Sequence, residues 1–341
     1  MTLARLNLSE GTVLSSGCLD AVAAETAAIN LYPDPDCEAL TCALAEHWKV
    51  QAANIAVGNG SDELILLCAL TLGDPSRPGV ISAGTFLGHR YALEIARREI
   101  REVPLLSGRV DAGLFAKAIP GAGIAFLCTP HNPSGVALAD EELELITCAA
   151  ARAGVPLVVD EAYMEFAPEH VPSLAGTIKR GSSIVALRTF SKAYGLAGVR
   201  IGYAIANHAD ARALRHAQRV LPFRANRLGQ VAALAALRDS ECIPRIRAET
   251  ARKKDWFTVA LRKQGFEVQE SAANFVAVAV TDPPAVARSL LEEHEIAVRD
   301  TTSMGYDGHV RISLGTQEEL ERAVHALVEV QGKLMSDLDR Q

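Results

Sequence analysis

Residues 189–202 read TFSKAYGLAGVRIG, and this stretch contains the most informative lysine of the chain. Lys192 lies beside two hydroxyl residues, Thr189 and Ser191, and Arg200 follows eight residues further on. An amine becomes a covalent catalyst when it forms a Schiff base with a carbonyl, while hydroxyl groups and a planar guanidinium are suited to binding a phosphate. The pattern therefore predicts a ligand with a carbonyl and a phosphate, although a Ser-Lys pair alone is more typical of an exposed loop.

A carboxylate ends an apolar run upstream of this lysine. The run Val155–Val159 has the composition of a buried strand, and Asp160 follows it directly. A buried carboxylate is costly without a cationic partner, so we expect Asp160 to meet a positive charge. The alternative is that Asp160 caps the next helix. The turn TPHNPSG at residues 129–135 follows another apolar run and alone would indicate only a proline turn.

Together these motifs resemble one enzyme family. TFSKAYGLAGVRIGYA at residues 189–204, DEAYMEF at 160–166 and the turn at 129–135 are similar to motifs of class I and II aminotransferases, in the aspartate aminotransferase superfamily. The closest resemblance is to the histidinol-phosphate aminotransferase branch, and it covers residues 32–315. It implies an enzyme that moves an amino group between an amino acid, or an amino-alcohol phosphate, and a 2-keto acid in ping-pong fashion.

The resemblance also implies a cofactor, pyridoxal 5′-phosphate, and the residues that would hold it. Lys192 would bind its aldehyde, and Asp160 would keep its ring nitrogen protonated, so that the ring acts as an electron sink. Tyr163 and Asn132 would contact the phenolic oxygen, and Phe86 would stack on the ring. The phosphate would be held by a glycine-containing helix start and by hydroxyl and guanidinium groups, namely Gly60, Ser61, Asp62, Thr189, Ser191 and Arg200.

Further positions match residues that hold the substrate or cross between subunits in this family. Arg311 matches the arginine that binds the substrate α-carboxylate, to which Asn132 also reaches. Arg299 matches an arginine that helps to bind the distal phosphate, and it reads equally well as a surface arginine. Tyr32, in the motif YPDP, would reach the cofactor phosphate of a neighbouring subunit, which implies a homodimer.

The N-terminal segment departs from the branch. Relatives carry N-E-N-P-x-G in a segment that lines the substrate side-chain pocket, whereas this chain has SEGTVL at residues 9–14. We therefore expect a distal pocket that differs from that of a dedicated histidinol-phosphate enzyme. Arg224 is another unusual charge, which either accepts an acidic substrate or makes a local ion pair.

Composition excludes several other classes of protein. The 341 residues carry a net charge of −7, whereas nucleic-acid scaffolds are normally basic. Seven cysteines form no CxxC pair, and no Cys/His cluster has metal-site spacing, so we expect free thiols and no metal. The first residues lack an apolar signal core and no apolar run reaches the ~20 residues of a membrane span. The expectation is a cytoplasmic protein with no membrane or nucleic-acid partner.

The alternation of short apolar runs with amphipathic helices predicts an α/β fold. The resemblance specifies fold type I, with a mostly parallel seven-stranded sheet covered by helices and a smaller α+β domain. We expect an N-terminal arm at 1–30, a large cofactor-binding domain at 31–230 and a small domain at 231–341. Such sheets bind ligands at the carboxyl ends of their strands.

Other functions remain open from the residues alone. A decarboxylase or an oxidase of amino acids can use the same cofactor machinery, because the orientation of the substrate decides which bond breaks. A non-catalytic cofactor-binding sensor is a third reading, which the retained Lys192 disfavours.

Overall fold

The computed structural model describes residues 2–11, 13–176, 178 and 183–338. Its strands are short and mostly buried, as expected for apolar runs of four to six residues. In chain order they are β1 Ala4–Arg5, β2 Ile55–Gly58, β3 Gly79–Ser82, β4 Ile100–Val103, β5 Leu105–Leu106, β6 Arg109–Val110, β7 Ile124–Cys128, β8 Leu157–Asp160, β9 Ile184–Thr189, β10 Gly202–Ile205, β11 Phe275–Ala279, β12 Ile296–Ala297, β13 Arg299–Asp300 and β14 His309–Ser313.

The helices lie between these strands and have one buried face each. They are α1 Ser16–Glu25, α2 Glu38–Trp48, α3 Gly60–Thr71, α4 Leu87–Ile95, α5 Ala112–Ala118, α6 Asp140–Ala153, α7 His208–Ala217, α8 Arg227–Arg238, α9 Cys242–Lys263, α10 Pro283–His294 and α11 Gln317–Leu338. None of the described helices is long and apolar enough to cross a membrane.

A seven-stranded sheet forms the centre of the molecule, in the order β2-β10-β9-β8-β7-β3-β4. All neighbouring pairs are parallel except those of β10, which is antiparallel to both β2 and β9. Apolar clusters cover both faces of the sheet, which is why its strands are continuous apolar runs. The predicted fold class, a mostly parallel seven-stranded α/β sheet, is confirmed.

The carboxyl ends of the six strands that run in the same direction lie along one edge of this sheet. Cys128 at the end of β7 pairs with Asp160 at the end of β8, and Asp160 pairs with Leu187 near the end of β9. β2 runs in the same direction as β9, because β10 is antiparallel to both. The segments that follow these strands therefore converge on the predicted site.

A second sheet, in the order β11-β14-β13, is antiparallel and has an apolar cluster of its own. The N-terminus joins this part of the molecule, because β1 pairs with β12 and both Ala4 and Leu6 belong to the same cluster. Helix α1 packs instead on α8. The bounds of the three predicted domains remain a prediction. Residues 1–30 contact both of the larger ones, because β1 pairs with β12 and α1 packs on α8.

The region from 227 to 263 forms two helices, α8 and α9, separated at residues 239–241. Pro244 explains the restart: proline has no amide hydrogen to donate and is tolerated only in the first turn of a helix. The run 296–300 likewise divides into β12 and β13, which pair in different sheets.

Candidate functional site

A cavity of about 190 Å³ lies at the carboxyl edge of the large sheet. Its lining contains all but two of the residues predicted to hold the cofactor, the exceptions being Gly60 and Tyr32. The lining residues are Ser61, Asp62, Phe86, Asn132, Asp160, Ala162, Tyr163, Thr189, Ser191, Lys192 and Arg200. They come from six separate segments, brought together by the strand order.

Lys192 is the amine of this cavity. Its Nζ donates to the carbonyl oxygen of Leu8 at 2.8 Å and lies 5.6 Å from the centre of the Tyr163 ring. Burial, helped by the nearby Arg311 guanidinium, lowers the pKa of Lys192 to about 8. At pH 7 about a tenth of the amine is therefore uncharged, which is the form that a nucleophile or a base requires.

The donors at one end of the cavity fit a phosphate. Arg200 donates from Nη1 to Ser191 Oγ at 3.1 Å and from Nη2 to Asp62 Oδ2 at 2.7 Å. Gly60 begins helix α3 with a positive φ of 74°, and a Cβ there would lie 2.6 Å from Arg200 Nη2. Glycine thus lets the guanidinium approach the free amides of the helix start, an arrangement suited to phosphate oxygens.

Asp160 is buried beside a histidine that the sequence analysis did not single out. Its Oδ1 accepts from the Ala162 amide at 3.1 Å, and Oδ2 lies 3.3 Å from His89 Nε2 without hydrogen-bond alignment. His89 is fully buried and stacks on Phe126, with ring centres 5.5 Å apart. Because Phe86 and His89 are three residues apart at the start of α4, helical spacing could have placed both beside the ring.

Two other buried rings, Tyr163 in the cavity lining and His131 beside Asn132, are uncharged at neutral pH. Burial raises the pKa of Tyr163 to about 12. Burial and the proximity of His89 lower the pKa of His131 to about 3, and His131 Nδ1 pairs with Ser134 Oγ at 2.9 Å. The acidic and basic side chains of the lining are Asp62, Asp160, Lys192 and Arg200.

Arg311 presents a buried guanidinium without a carboxylate partner among the described residues. Its Nη1 donates to Asn132 Oδ1 at 2.5 Å and its Nη2 to the Asn7 carbonyl oxygen at 2.7 Å, while Nε is buried without a partner. The guanidinium carbon lies 5.0 Å from the centre of the Phe275 ring. Burial lowers the pKa of Arg311. Such a group is suited to a two-pronged anion such as a carboxylate.

The remaining predicted residues lie outside the cavity lining. Arg299 is exposed and pairs in register with Arg311 across β13 and β14, so the two side chains share one face of the sheet. Arg224 makes local contacts, including hydrogen bonds to the Val57 and Pro35 carbonyls and a 4.0 Å ion pair with Glu63. Tyr32 is 76% exposed and stacks on Phe223 with ring centres 4.3 Å apart.

The N-terminal arm closes the site with main-chain groups. The carbonyls of Asn7 and Leu8 accept from Arg311 and Lys192. Ser9, buried with a φ of 54°, is held by a hydrogen bond from its amide to Ser313 Oγ and by Asn274, which donates to its carbonyl. The two residues directly before the divergent segment 9–14 therefore contact both cations of the site.

One cluster of possible metal ligands lies on the surface, far from these residues in sequence. Glu293, His294 and Glu329 bring their ligand atoms within 4.8 Å of one another. Lys333 Nζ already binds both carboxylates, at 3.0 and 2.7 Å. A lysine therefore supplies the positive charge there.

Known proteins with similar sequence and structure share one type of activity. Residues 5–327 match the family model "Aminotransferase class I and II". The chain is 35% identical to the histidinol-phosphate aminotransferase of Bacillus velezensis over 93% of its length and 88% of the relative. It is 34% identical to the histidinol-phosphate aminotransferase of Symbiobacterium thermophilum, over 95% of this chain and 90% of the relative. The crystal structure of the Sinorhizobium meliloti histidinol-phosphate aminotransferase with pyridoxal-5′-phosphate superposes with a TM-score of 0.88 at 29% identity, covering 98% of this chain and 92% of that one.

Proposed function

The chain belongs to the class I and II aminotransferase family, and we propose that its amino substrate is an amino-alcohol phosphate of the histidinol-phosphate type. It is a pyridoxal-phosphate-dependent transaminase that uses an amino donor and a keto-acid acceptor. A decarboxylase or oxidase is not favoured, because the curated relatives described above are aminotransferases.

The observation that carries the substrate proposal is the pair of arginines on the small sheet. Arg311 and Arg299 are in register on adjacent antiparallel strands, where directly opposed side chains lie close together. Two neighbouring guanidinium groups suit a phosphate, which has three acceptor oxygens and up to two negative charges, better than they suit a single carboxylate. Arg311 alone, with its unpaired Nε, is sufficient for the carboxylate of an amino acid.

The residues around the cavity can hold the cofactor in one orientation. In the proposed arrangement Lys192 binds the aldehyde, Asp160 faces the ring nitrogen, and Phe86 contacts the ring. Asn132 and Tyr163 would contact the phenolic oxygen. The phosphate would be held at the helix start and by its neighbours: Gly60, Ser61, Asp62, Thr189, Ser191 and Arg200. When bound, the cofactor supplies an electron sink for the charge that develops at the substrate Cα.

The protein's own contribution is to orient the substrate and to move a proton. Arg311, with Asn132, would fix the anionic end of the substrate and so direct its Cα–H bond. Lys192 Nζ is the base placed to take the Cα proton and return it, because its lowered pKa of about 8 raises the uncharged fraction of the amine to about a tenth at pH 7. The Asp160 carboxylate supplies the negative charge that opposes the cationic groups of the site.

We also propose that the protein works as a homodimer with shared sites. Large apolar side chains are exposed around Tyr32, including Ile29, Leu31, Val220 and Leu221, of which Val220 is 83% exposed. A contiguous apolar patch of this kind indicates an interface. A second copy would cover this patch and bring its Tyr32 towards the cavity.

Steady-state kinetics with paired substrates test the substrate proposal. The holoenzyme should turn over histidinol phosphate with a higher kcat/KM than histidinol, which lacks the phosphate, and than amino acids such as phenylalanine. Arg299→Gln should lower kcat/KM for histidinol phosphate by about 10- to 100-fold, the effect of losing hydrogen bonds to a charged group. It should change the value for amino acids far less.

Arg288→Gln is the matched control, because Arg288 is an exposed arginine of the neighbouring helix α10. Equal kcat/KM for histidinol phosphate and histidinol would contradict the substrate proposal. Release of carbon dioxide or hydrogen peroxide in place of keto-acid amination would instead support the decarboxylase or oxidase alternative.

A further inference from the structure

A groove of about 840 Å³ runs along helix α9, outside the cavity that contains Lys192. Its walls are the segment after β8, around residues 166–169, and the segment before β11, around 269–271. Three cations of α9 line it: Arg247, Lys254 and Arg262. Their spacing of seven and eight residues places them along one face of the helix.

Lys254 lies between the two arginines and has no carboxylate within ion-pair distance among the described residues. Its Nζ has one protein acceptor there, the Ala273 carbonyl oxygen at 3.2 Å. The adjacent Lys253 differs, because its Nζ binds Glu249 Oε1 at 2.7 Å. Of two neighbouring lysines on the same helix, one is therefore neutralised by a carboxylate and the other faces an open groove.

Burial of Lys254 in the groove wall makes its amine more reactive, because it favours the uncharged form. Burial lowers the pKa of Lys254 to about 8, although Asp255 acts in the opposite direction. The other acidic side chains of the groove, Glu169 and Glu270, are exposed, and Glu169 is bound to Arg247 Nη1 at 3.3 Å. An uncharged lysine amine that reaches solvent is a nucleophile.

We propose that Lys254 is an acylation site that reacts with small acyl phosphates. The Nζ lone pair attacks the acyl carbon, and an N–C bond forms. The C–O bond to the phosphate then breaks and inorganic phosphate leaves with the bonding electrons, while the proton from Nζ passes to the phosphate or to water. The product is a neutral amide at Lys254.

The arginines explain why the donor is an acyl phosphate. Arg262 uses Nη2 to bind the Val268 carbonyl at 3.0 Å and lines the same groove as Lys254. Its other N–H groups can bind phosphate oxygens through charge-assisted hydrogen bonds. A donor held in this way lies in the same groove as the Lys254 amine.

The modified residue is connected to the substrate end of the active site. Lys254 Nζ donates a hydrogen bond to the Ala273 carbonyl. The next two residues contact the active site: Asn274 donates to the Ser9 carbonyl, and the Phe275 ring lies against the Arg311 guanidinium. Acylation removes the charge of Lys254 and so acts on the segment that supports Arg311.

Mass spectrometry of the holoenzyme treated with acetyl phosphate tests the proposal, since bound cofactor protects Lys192. After digestion, acetylation of Lys254 should clearly exceed that of Lys253 at pH 7.5, because burial lowers the pKa of Lys254 whereas the Lys253 amine is held in an ion pair with Glu249. Arg262→Gln should lower Lys254 acetylation by acetyl phosphate. It should leave acetylation by an uncharged N-hydroxysuccinimide ester unchanged.

Lys263→Gln is the control, because it removes one cation from the same turn of α9 outside the groove lining. Equal acetylation of Lys253 and Lys254 would overturn the proposal. A loss of reaction with both reagents in Arg262→Gln would overturn the part assigned to phosphate binding.

Discussion

The amine of Lys192 is expected to titrate near pH 8 in the cofactor-free protein. Burial and the Arg311 charge disfavour its protonated form, which places the pKa about two units below that of an ordinary lysine. The rate of modification of Lys192 by an amine-reactive reagent should therefore rise with pH and level off above pH 8. Peptide mapping at a series of pH values measures this rate.

The same measurement on Arg311→Gln tests the cause. Removing the neighbouring positive charge should shift the midpoint for Lys192 to higher pH, because the protonated amine no longer faces a like charge. A midpoint near pH 10 in the unaltered protein would show that Lys192 is well solvated.

Asp160 should matter more for chemistry than for folding. Asp160→Asn retains an oxygen that can accept from the Ala162 amide, so the fold should persist with a melting temperature within a few degrees. The lost negative charge should lower kcat by about a hundredfold or more, the size expected for a group that stabilises transition-state charge. Normal turnover in a folded Asp160→Asn variant would exclude this role.

Side chains at strand ends could be predicted from the sequence, whereas the groups that enclose them could not. Lys192 and Asp160 each stand beside an apolar run or a glycine turn that marks their place. For His89 the one signal in the sequence is its helical spacing of three residues from Phe86. The carbonyls of Asn7 and Leu8 carry none, because every residue has a carbonyl and only tertiary packing decides which one meets a cation.

At the scale of elements, a buried ion cluster ties strand β9 to the turn after β8. Arg188 binds Glu161 at 2.7 Å and Glu165 at 2.8 Å, and all three side chains are nearly inaccessible. Arg188→Met keeps much of the volume but leaves two buried carboxylates unpaired. We expect a loss of about 3–5 kcal/mol in the free energy of unfolding, as for other broken buried pairs, measured by urea denaturation.

Arg109→Met provides the comparison, because Arg109 and Glu142 form an exposed pair at 3.2 Å. Its loss should cost less than about 1 kcal/mol. Similar effects of the two substitutions would mean that the Arg188 cluster is solvated in solution.

The N-terminal arm should be sensitive to a single methyl group. A Cβ at Gly11 would lie 2.4 Å from the Lys192 carbonyl oxygen and 2.7 Å from the Gly195 Cα, both of which are main-chain atoms. Gly11→Ala should therefore displace the arm at a cost of about 1–3 kcal/mol. It should also raise the KM for the amino substrate, measured together with the melting temperature.

Gly17→Ala is the control for this change, because its Cβ would meet only the Ala235 Cβ at 3.9 Å. Alanine is also the better helix former within α1. If Gly11→Ala behaved like Gly17→Ala, the arm would not be packed against the lysine loop.

A helix with a clear periodic apolar face, such as α6 at 140–153, can be recognised from the sequence. Boundaries cannot be recognised where two short elements adjoin. Nothing in the run 296–299 shows that β12 pairs with the N-terminal β1 and β13 with β14, because pairing across the chain is set by tertiary contacts.

At the scale of the whole molecule, the proposed dimer predicts complementation between inactive variants. Tyr32→Phe and Lys192→Ala chains, when mixed and allowed to exchange, should form heterodimers with one doubly altered site and one unaltered site. The activity of the mixture should therefore exceed the average of the two homodimers measured separately. An active monomer by light scattering would contradict the shared site.

The pairing of β1 with β12 has a consequence for how the protein is made. During translation residues 4–9 emerge well before their partners, Ile296 and Ser313. The arm must remain unpaired until residue 296 has been made, with the large sheet already able to form. A chain released before residue 296 lacks both Arg311 and the strand that holds the arm. Synthesis must pass residue 313 before the site can close.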